Sequence, residues 1–133
     1  MAYAVVGERV GRIVAGRVLA GVAAGTAVVA AIGAVPGMVA ADADDRIAQT
    51  WWTYGLVVFA ALFALLAARP LGTRWLWEIV LVNKLALTVT AGAYLVAGSA
   101  TGAGTIVASD GALFVLLLAA YLCVRGWRAG RTA

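Results

Sequence analysis

Residues 75–97 read WLWEIVLVNKLALTVTAGAYLVA, an apolar run with a single lysine, Lys84, near its middle. A helix needs about 20 predominantly apolar residues to cross a hydrocarbon core of roughly 30 Å. This stretch has that length, ends before a Gly-, Ser- and Thr-rich loop, and carries almost no charge. Three further segments share the character. The first runs from 13 to 35 and closes at Pro36-Gly37, a pair that stops helices. The second covers 51–68 and ends at Arg69-Pro70. The last covers 109–125, with Ser109 or Asp110 as its N-cap and Asp110 suited to the helix dipole there. The spacing predicts an all-α fold: an integral membrane antiparallel four-helix bundle in one domain, its short loops making consecutive helices neighbours.

Composition agrees. Of 133 residues, 65% are hydrophobic and 12% charged, against roughly 45–50% and 25% in ordinary globular domains. A soluble protein of this size has too much surface to hide so much apolar area. With one cysteine, Cys123, and no histidine, an internal disulfide, His-assisted nucleophilic catalysis and His metal ligation are excluded. The net charge of +4 does not mark a nucleic-acid binder, because the arginines punctuate the ends of apolar runs.

That punctuation sets a direction. Arg9, Arg12, Arg17, Arg69, Arg74, Arg125, Arg128 and Arg131 fall on one side, and Arg46 alone lies on the other with Asp42, Asp44, Asp45 and Asp110. Basic residues in short loops stay cytoplasmic, so both termini are expected inside. Trp75, Trp77 and Trp127 mark the inner interface, and Trp51, Trp52, Tyr54 and Tyr94 the outer one. A cleavable signal peptide is the competing reading of the N-terminus, but its apolar region exceeds the usual 7–15 residues. Asp42, Asp44 and Asp45 read as acids that keep a loop wet and begin the next helix, rather than as a divalent-ion site.

Lys84 is the most informative residue. A lysine at mid-bilayer costs about 2.5–3.5 kcal/mol on insertion scales and usually faces a bundle interior or cavity. Helical spacing aligns it with Thr88 and Ala91, with Asn83, Thr90 and Tyr94 on the adjacent stripe. Lys84, Asn83 and Thr88 are thus a candidate intramembrane polar site for an anion or polar headgroup; the alternative is a lysine that snorkels to the inner interface. No carboxylate is expected at its depth. Arg17 and Glu78 lie at similar depths in the first and third helices. Arg17 shares a face with Gly21, Gly25 and Val28, a small-residue stripe suited to close packing, and Gly92 lies on the Glu78 side. The first and third helices are therefore expected to pack together through an Arg17–Glu78 ion pair, with Arg74 a competing partner for Glu78. Gly7/Gly11, Gly21/Gly25 and Gly33/Gly37 have GxxxG spacing, expected to serve packing within the bundle rather than a dedicated dimer face.

Arg17 followed by glycines, a proline-ended first helix, the acidic loop, and Glu78 and Asp110 opening later helices resemble the DoxX-like group of small four-helix membrane proteins. The resemblance spans most of the chain at the level of layout and lacks a crisp arginine–glycine–lysine signature in the first helix. It implies a membrane partner of redox or quinol-linked complexes without catalytic residues of its own, with Arg17 and Glu78 as packing or partner-binding positions. Small multidrug exporters also have four short helices but need a carboxylate midway along the first, where this chain has only Thr26 as a polar side chain between Leu19 and Ala31.

The expected function is thus a non-catalytic accessory or partner-binding subunit of a membrane complex. It would work in the lipid bilayer with a membrane-protein partner or as a homo-oligomer, without cofactor, metal or nucleic acid. A small transporter or channel with a pathway past Lys84 is the alternative. A lipid- or quinone-directed enzyme ranks third, since no base–nucleophile pair is visible. Arginine-, alanine-, valine- and glycine-rich usage points to a GC-rich bacterial genome and the bacterial plasma membrane.

Overall fold

A computed structural model describes residues 2–73 and 75–130, with side chains from Gly7 onward. All regular structure among these residues is helical: α1 (Ala2–Ala40), α2 (Arg46–Ala68), α3 (Leu76–Ala97), α4 (Ala103–Val124) and a closing 3₁₀ turn, Gly126–Arg128. All four α-helices are long and apolar enough to cross a membrane.

Three helices differ from expectation. Helix α1 does not stop at Pro36-Gly37 but continues through Pro36 to Ala40 and begins well before residue 13. A proline inside a helix removes one backbone hydrogen bond, whereas abandoning the helix in apolar surroundings would leave several backbone groups unpaired. Continuation costs less. Helix α4 begins at Ala103, six residues before the expected start at 109, after Gly102 at φ +79°. Gly98, at φ +62°, closes α3 with its own N–H on Leu95 O. Both positions need the left-handed backbone that glycine adopts without a Cβ penalty, so a five-residue turn, 98–102, joins the helices. Helix α2 ends at Ala68, before Arg69-Pro70, as expected, but begins at Arg46, five residues before 51, directly after the acidic loop; α3 spans Leu76–Ala97, as expected. Asp45 holds the N-cap position of α2 but makes no side-chain capping bond.

Consecutive helices run antiparallel. Gly37 lies near Gln49 and Arg17 near Ala67 along the α1–α2 pair; Gly104 lies near Leu95 and Tyr121 near Glu78 along the α3–α4 pair. Helix α1 packs on α2 and α4, and α3 packs on α4, while α2 and α3 approach only loosely along their backbones. Among the described residues, the α1–α3 packing expected from Gly21, Gly25 and Gly92 does not form: α1 packs on α2 and α4, and α1 and α3 are diagonal. A Cβ added at Gly7, Gly11, Gly21, Gly25, Gly33 or Gly92 would meet nothing within 4 Å. The inward stripe of α1 is built from alanine instead: Ala20, Ala24, Ala27, Ala31 and Ala34, at alternating four- and three-residue steps that keep one face inward, are buried together with Ala23 beside them. Small side chains let α2 and α4 come close, most tightly at Gly16, where a Cβ would stand 3.0 Å from the Ala120 carbonyl oxygen and clash with Val124.

Larger residues fill the remainder. Trp77, Phe63, Leu66, Leu117 and Val80 are the largest fully buried side chains, and their bulk holds the α2 and α3 backbones apart. The Trp77 indole N–H donates to Pro70 O at 2.7 Å, fixing the start of α3 to the loop before it. Outside this core, valine, leucine and isoleucine side chains lie exposed along every helix.

Candidate functional site

Helix α3 carries Lys84 inward, and α4 supplies what the sequence reading did not expect, a carboxylate to meet it. Lys84 Nζ donates to Asp110 Oδ1 at 2.6 Å, with the two side chains only 4% and 14% exposed. The ammonium also stands 4.2 Å from the centre of the Phe59 ring and 5.9 Å from that of Phe63. An aromatic face attracts a cation through its quadrupole, more strongly where water is excluded. One charged group therefore ties three helices: α3 to α4 by an ion pair, and α3 to α2 through aromatic faces.

The early start of α4 creates this pair. Asp110 is not a cap; it sits seven residues past Ala103, about 10 Å along the helix axis. A Cβ on Gly111 would meet Thr88 Cγ2 at 3.5 Å, and one on Gly104 would meet Leu95 Cδ1 at 3.8 Å. That register sets Asp110 level with Val89, about five residues and hence ~7.5 Å beyond Lys84 along the axis. The lysine side chain spans this offset by running toward the end of the molecule that holds the 41–45 and 98–102 turns. It does not reach for the end holding the chain termini, as a lysine snorkelling to the expected inner face would.

The other members of the expected polar site separate. Asn83 is exposed on a different face from Lys84. Thr88 is half-buried, but its hydroxyl donates to the Lys84 backbone oxygen at 2.8 Å, the four-residue back-bond usual for threonine in helices. Neither group joins the ion pair.

Arg17 and Glu78 do occupy similar levels, since Gly16 lies against Ala120 and Val124, and Glu78 against Tyr121. They form no ion pair: the ion pairs among the described residues are Lys84–Asp110 and a loose Glu8–Arg12 contact of 4.0 Å. Because α1 and α3 are diagonal, the buried core separates the two groups. Arg17 Nε instead donates to Ala67 O at 2.9 Å, near the carbonyl-rich C-terminus of α2, where a cation is favoured. Glu78 Oε1 accepts from Tyr121 Oη at 2.9 Å, while its Oε2 is buried with no hydrogen-bond partner among the described residues. Arg74 lies outside the described residues. Tyr121 packs beside Trp77 and edge-on to Trp127, at ring-centre distances of 6.0 and 5.7 Å.

Phe59, Phe63, Asp110 and Tyr121 are the site residues that sequence reasoning missed. Asp110 had left a signal. A span of 109–125 is about 25 Å long at 1.5 Å per residue, short of a ~30 Å core, so the helix had to begin earlier and draw Asp110 inside. Comparison with protein-family models, curated proteins and solved structures found no match.

Proposed function

We propose that this chain is a non-catalytic, multi-pass protein of the bacterial plasma membrane with both termini cytoplasmic, acting as an accessory or partner-binding subunit of a membrane complex. One observation carries the choice over a transport pathway: the lysine at mid-helix is closed off, its charge met by Asp110 and its flank by Phe59. A pathway residue must meet solvent or solute in turn, whereas a sealed, neutralised pair acts as a clamp between helices. Buried ion pairs of this kind serve best in fixing one arrangement of helices rather than in adding stability. The arginine distribution supports the orientation, and the resemblance to the DoxX-like group supports a partner linked to redox or quinol chemistry.

The test pairs two measurements. Purification from its native membrane in mild detergent should retain a stoichiometric membrane-protein partner, retained equally by a Lys84→Met/Asp110→Asn variant that still folds. Proteoliposomes of the purified chain should show no solute or proton flux above empty vesicles. Flux abolished by Lys84→Ala, with no protein co-purifying, would replace this reading with the transporter.

A further inference from the structure

At the end of the molecule that holds the chain termini, α1 and the segment after α4 enclose a pocket of about 250 Å³. Its charged walls are Arg9 and Arg12 from α1, Arg125 at the C-cap of α4 and Arg128 from the closing turn, over an apolar floor that includes Ile13 and Val124. Arg9 and Arg12 are three residues apart and so share a helix face. The opposite wall is held rigidly. Arg125 takes the left-handed conformation at φ +55°, and its N–H donates back to Leu122 O. Arg128 N donates to Arg125 O at 2.9 Å, and Gly130 N to Leu71 O at 3.1 Å. Gly126 is buried against Tyr121 and Trp77, where any side chain would collide with the Tyr121 ring.

The charges in this pocket are not balanced from within. Among the described residues, Glu8 is the one carboxylate lining it, and its contact with Arg12 is a loose 4.0 Å between well-exposed side chains. Among the described residues, Arg9, Arg125 and Arg128 have no carboxylate within salt-bridge reach. Guanidinium groups are planar forks matched to phosphate and carboxylate oxygens. The volume is below the roughly 300–1,000 Å³ of sites that enclose drug-sized molecules, so it suits a headgroup-sized anion. The apolar floor beneath the arginines suits a ligand whose charged part continues into a hydrocarbon part.

We propose that this pocket binds a phosphate group, presented by an anionic phospholipid whose acyl chains lie along the adjoining helices. The inference needs the helices to lie in lipid but does not depend on the accessory-subunit reading. Titration of the full chain in neutral-detergent micelles, read by native mass spectrometry, tests it with phosphatidylglycerol, phosphatidylcholine and inorganic phosphate as probes. Phosphatidylglycerol should bind tighter than phosphatidylcholine. At about 1 kcal/mol per basic residue, equal to a fivefold change, Arg125→Gln/Arg128→Gln should weaken it about thirtyfold. Arg46→Gln, at the other end of the molecule, should change it less than twofold. Glu8→Gln should tighten it about fivefold, and this variant decides the matter if the double arginine variant does not fold. Equal affinity for the two lipids, an unaffected double variant or an unaffected Glu8→Gln would overturn the proposal. Inorganic phosphate binding as tightly as the lipid, and lost in the double variant, would keep the phosphate site and assign its source to solution.

Discussion

Removing one charge from the Lys84–Asp110 pair should cost far more than removing both. At 2.6 Å, two unit charges attract by about 6 kcal/mol at an effective dielectric near 20. Withdrawing each ion from water opposes this by several kcal/mol, so the pair as a whole contributes little net stability. A single substitution destroys the balance by leaving the other charge buried and unmatched, at about 3–5 kcal/mol. Lys84→Met strands the Asp110 carboxylate, and Asp110→Asn leaves the ammonium with a neutral amide oxygen and the Phe59 and Phe63 rings but no opposite charge. The double variant Lys84→Met/Asp110→Asn strands neither and should lose no more than about 1–2 kcal/mol, the cost of an amide without its best partner. The expected coupling energy, the excess of the two single losses together over the double loss, is therefore at least about 4 kcal/mol, more than the roughly 0.5–3 kcal/mol usual for contacting residues. Reversible unfolding of the four proteins in mixed micelles, followed by tryptophan fluorescence, measures it. Additivity within about 0.5 kcal/mol, or single variants as stable as the parent, would show that the charges are not sealed together and would refute the reasoning.

Three further outcomes follow from the packing. Gly16→Ala should destabilise by about 1–3 kcal/mol through overpacking against Ala120 and Val124, whereas Gly21→Ala and Gly25→Ala, facing open space, should be neutral or gain up to about 1 kcal/mol of helix propensity; thermal unfolding in one detergent distinguishes the two classes, and a loss at Gly21 would reveal packing between copies. Tyr121→Phe removes the hydrogen bond to Glu78 and should cost about 1.5–3 kcal/mol, as for bonds to charged groups; Glu78→Gln in the same background should recover part of that loss, and a further loss would contradict the unpartnered state of Oε2. Trp77→Phe, at a fully buried position, loses the bond to Pro70 and part of a large ring. A destabilisation of about 2–4 kcal/mol is expected, and a change below 1 kcal/mol would mean the indole is not packed as described.

What could be read from the residues alone was length and polarity. Runs of about 20 apolar residues declare helices whatever surrounds them, and Arg69-Pro70 ends α2 because the residue before a proline avoids helical geometry. Lys84 stood out because one charge in such a run is costly wherever it points. Its partner did not, since a serine–aspartate pair preceding an apolar stretch is also how helices commonly begin, and the true start depended on the glycine at 102. The Arg17–Glu78 expectation shows a different limit. Depth along a helix follows from counting residues, and both groups do lie at similar levels. Which helices become neighbours is decided by how side chains fill the space between them, and one-dimensional periodicity does not encode it. The same limit reversed the faces of α1, where glycine spacing suggested the packing stripe and the alanines formed it.

The turn at 98–102 has a bearing on how the chain could enter lipid at all. Lys84 and Asp110 each carry a penalty of about 2.5–3.5 kcal/mol if their helices partition singly. They lie on segments joined by only five residues, and they meet with their charges already cancelled. Entry of this hairpin as one unit would avoid both penalties, whereas stepwise entry would leave the Lys84 penalty uncompensated until α4 joined it.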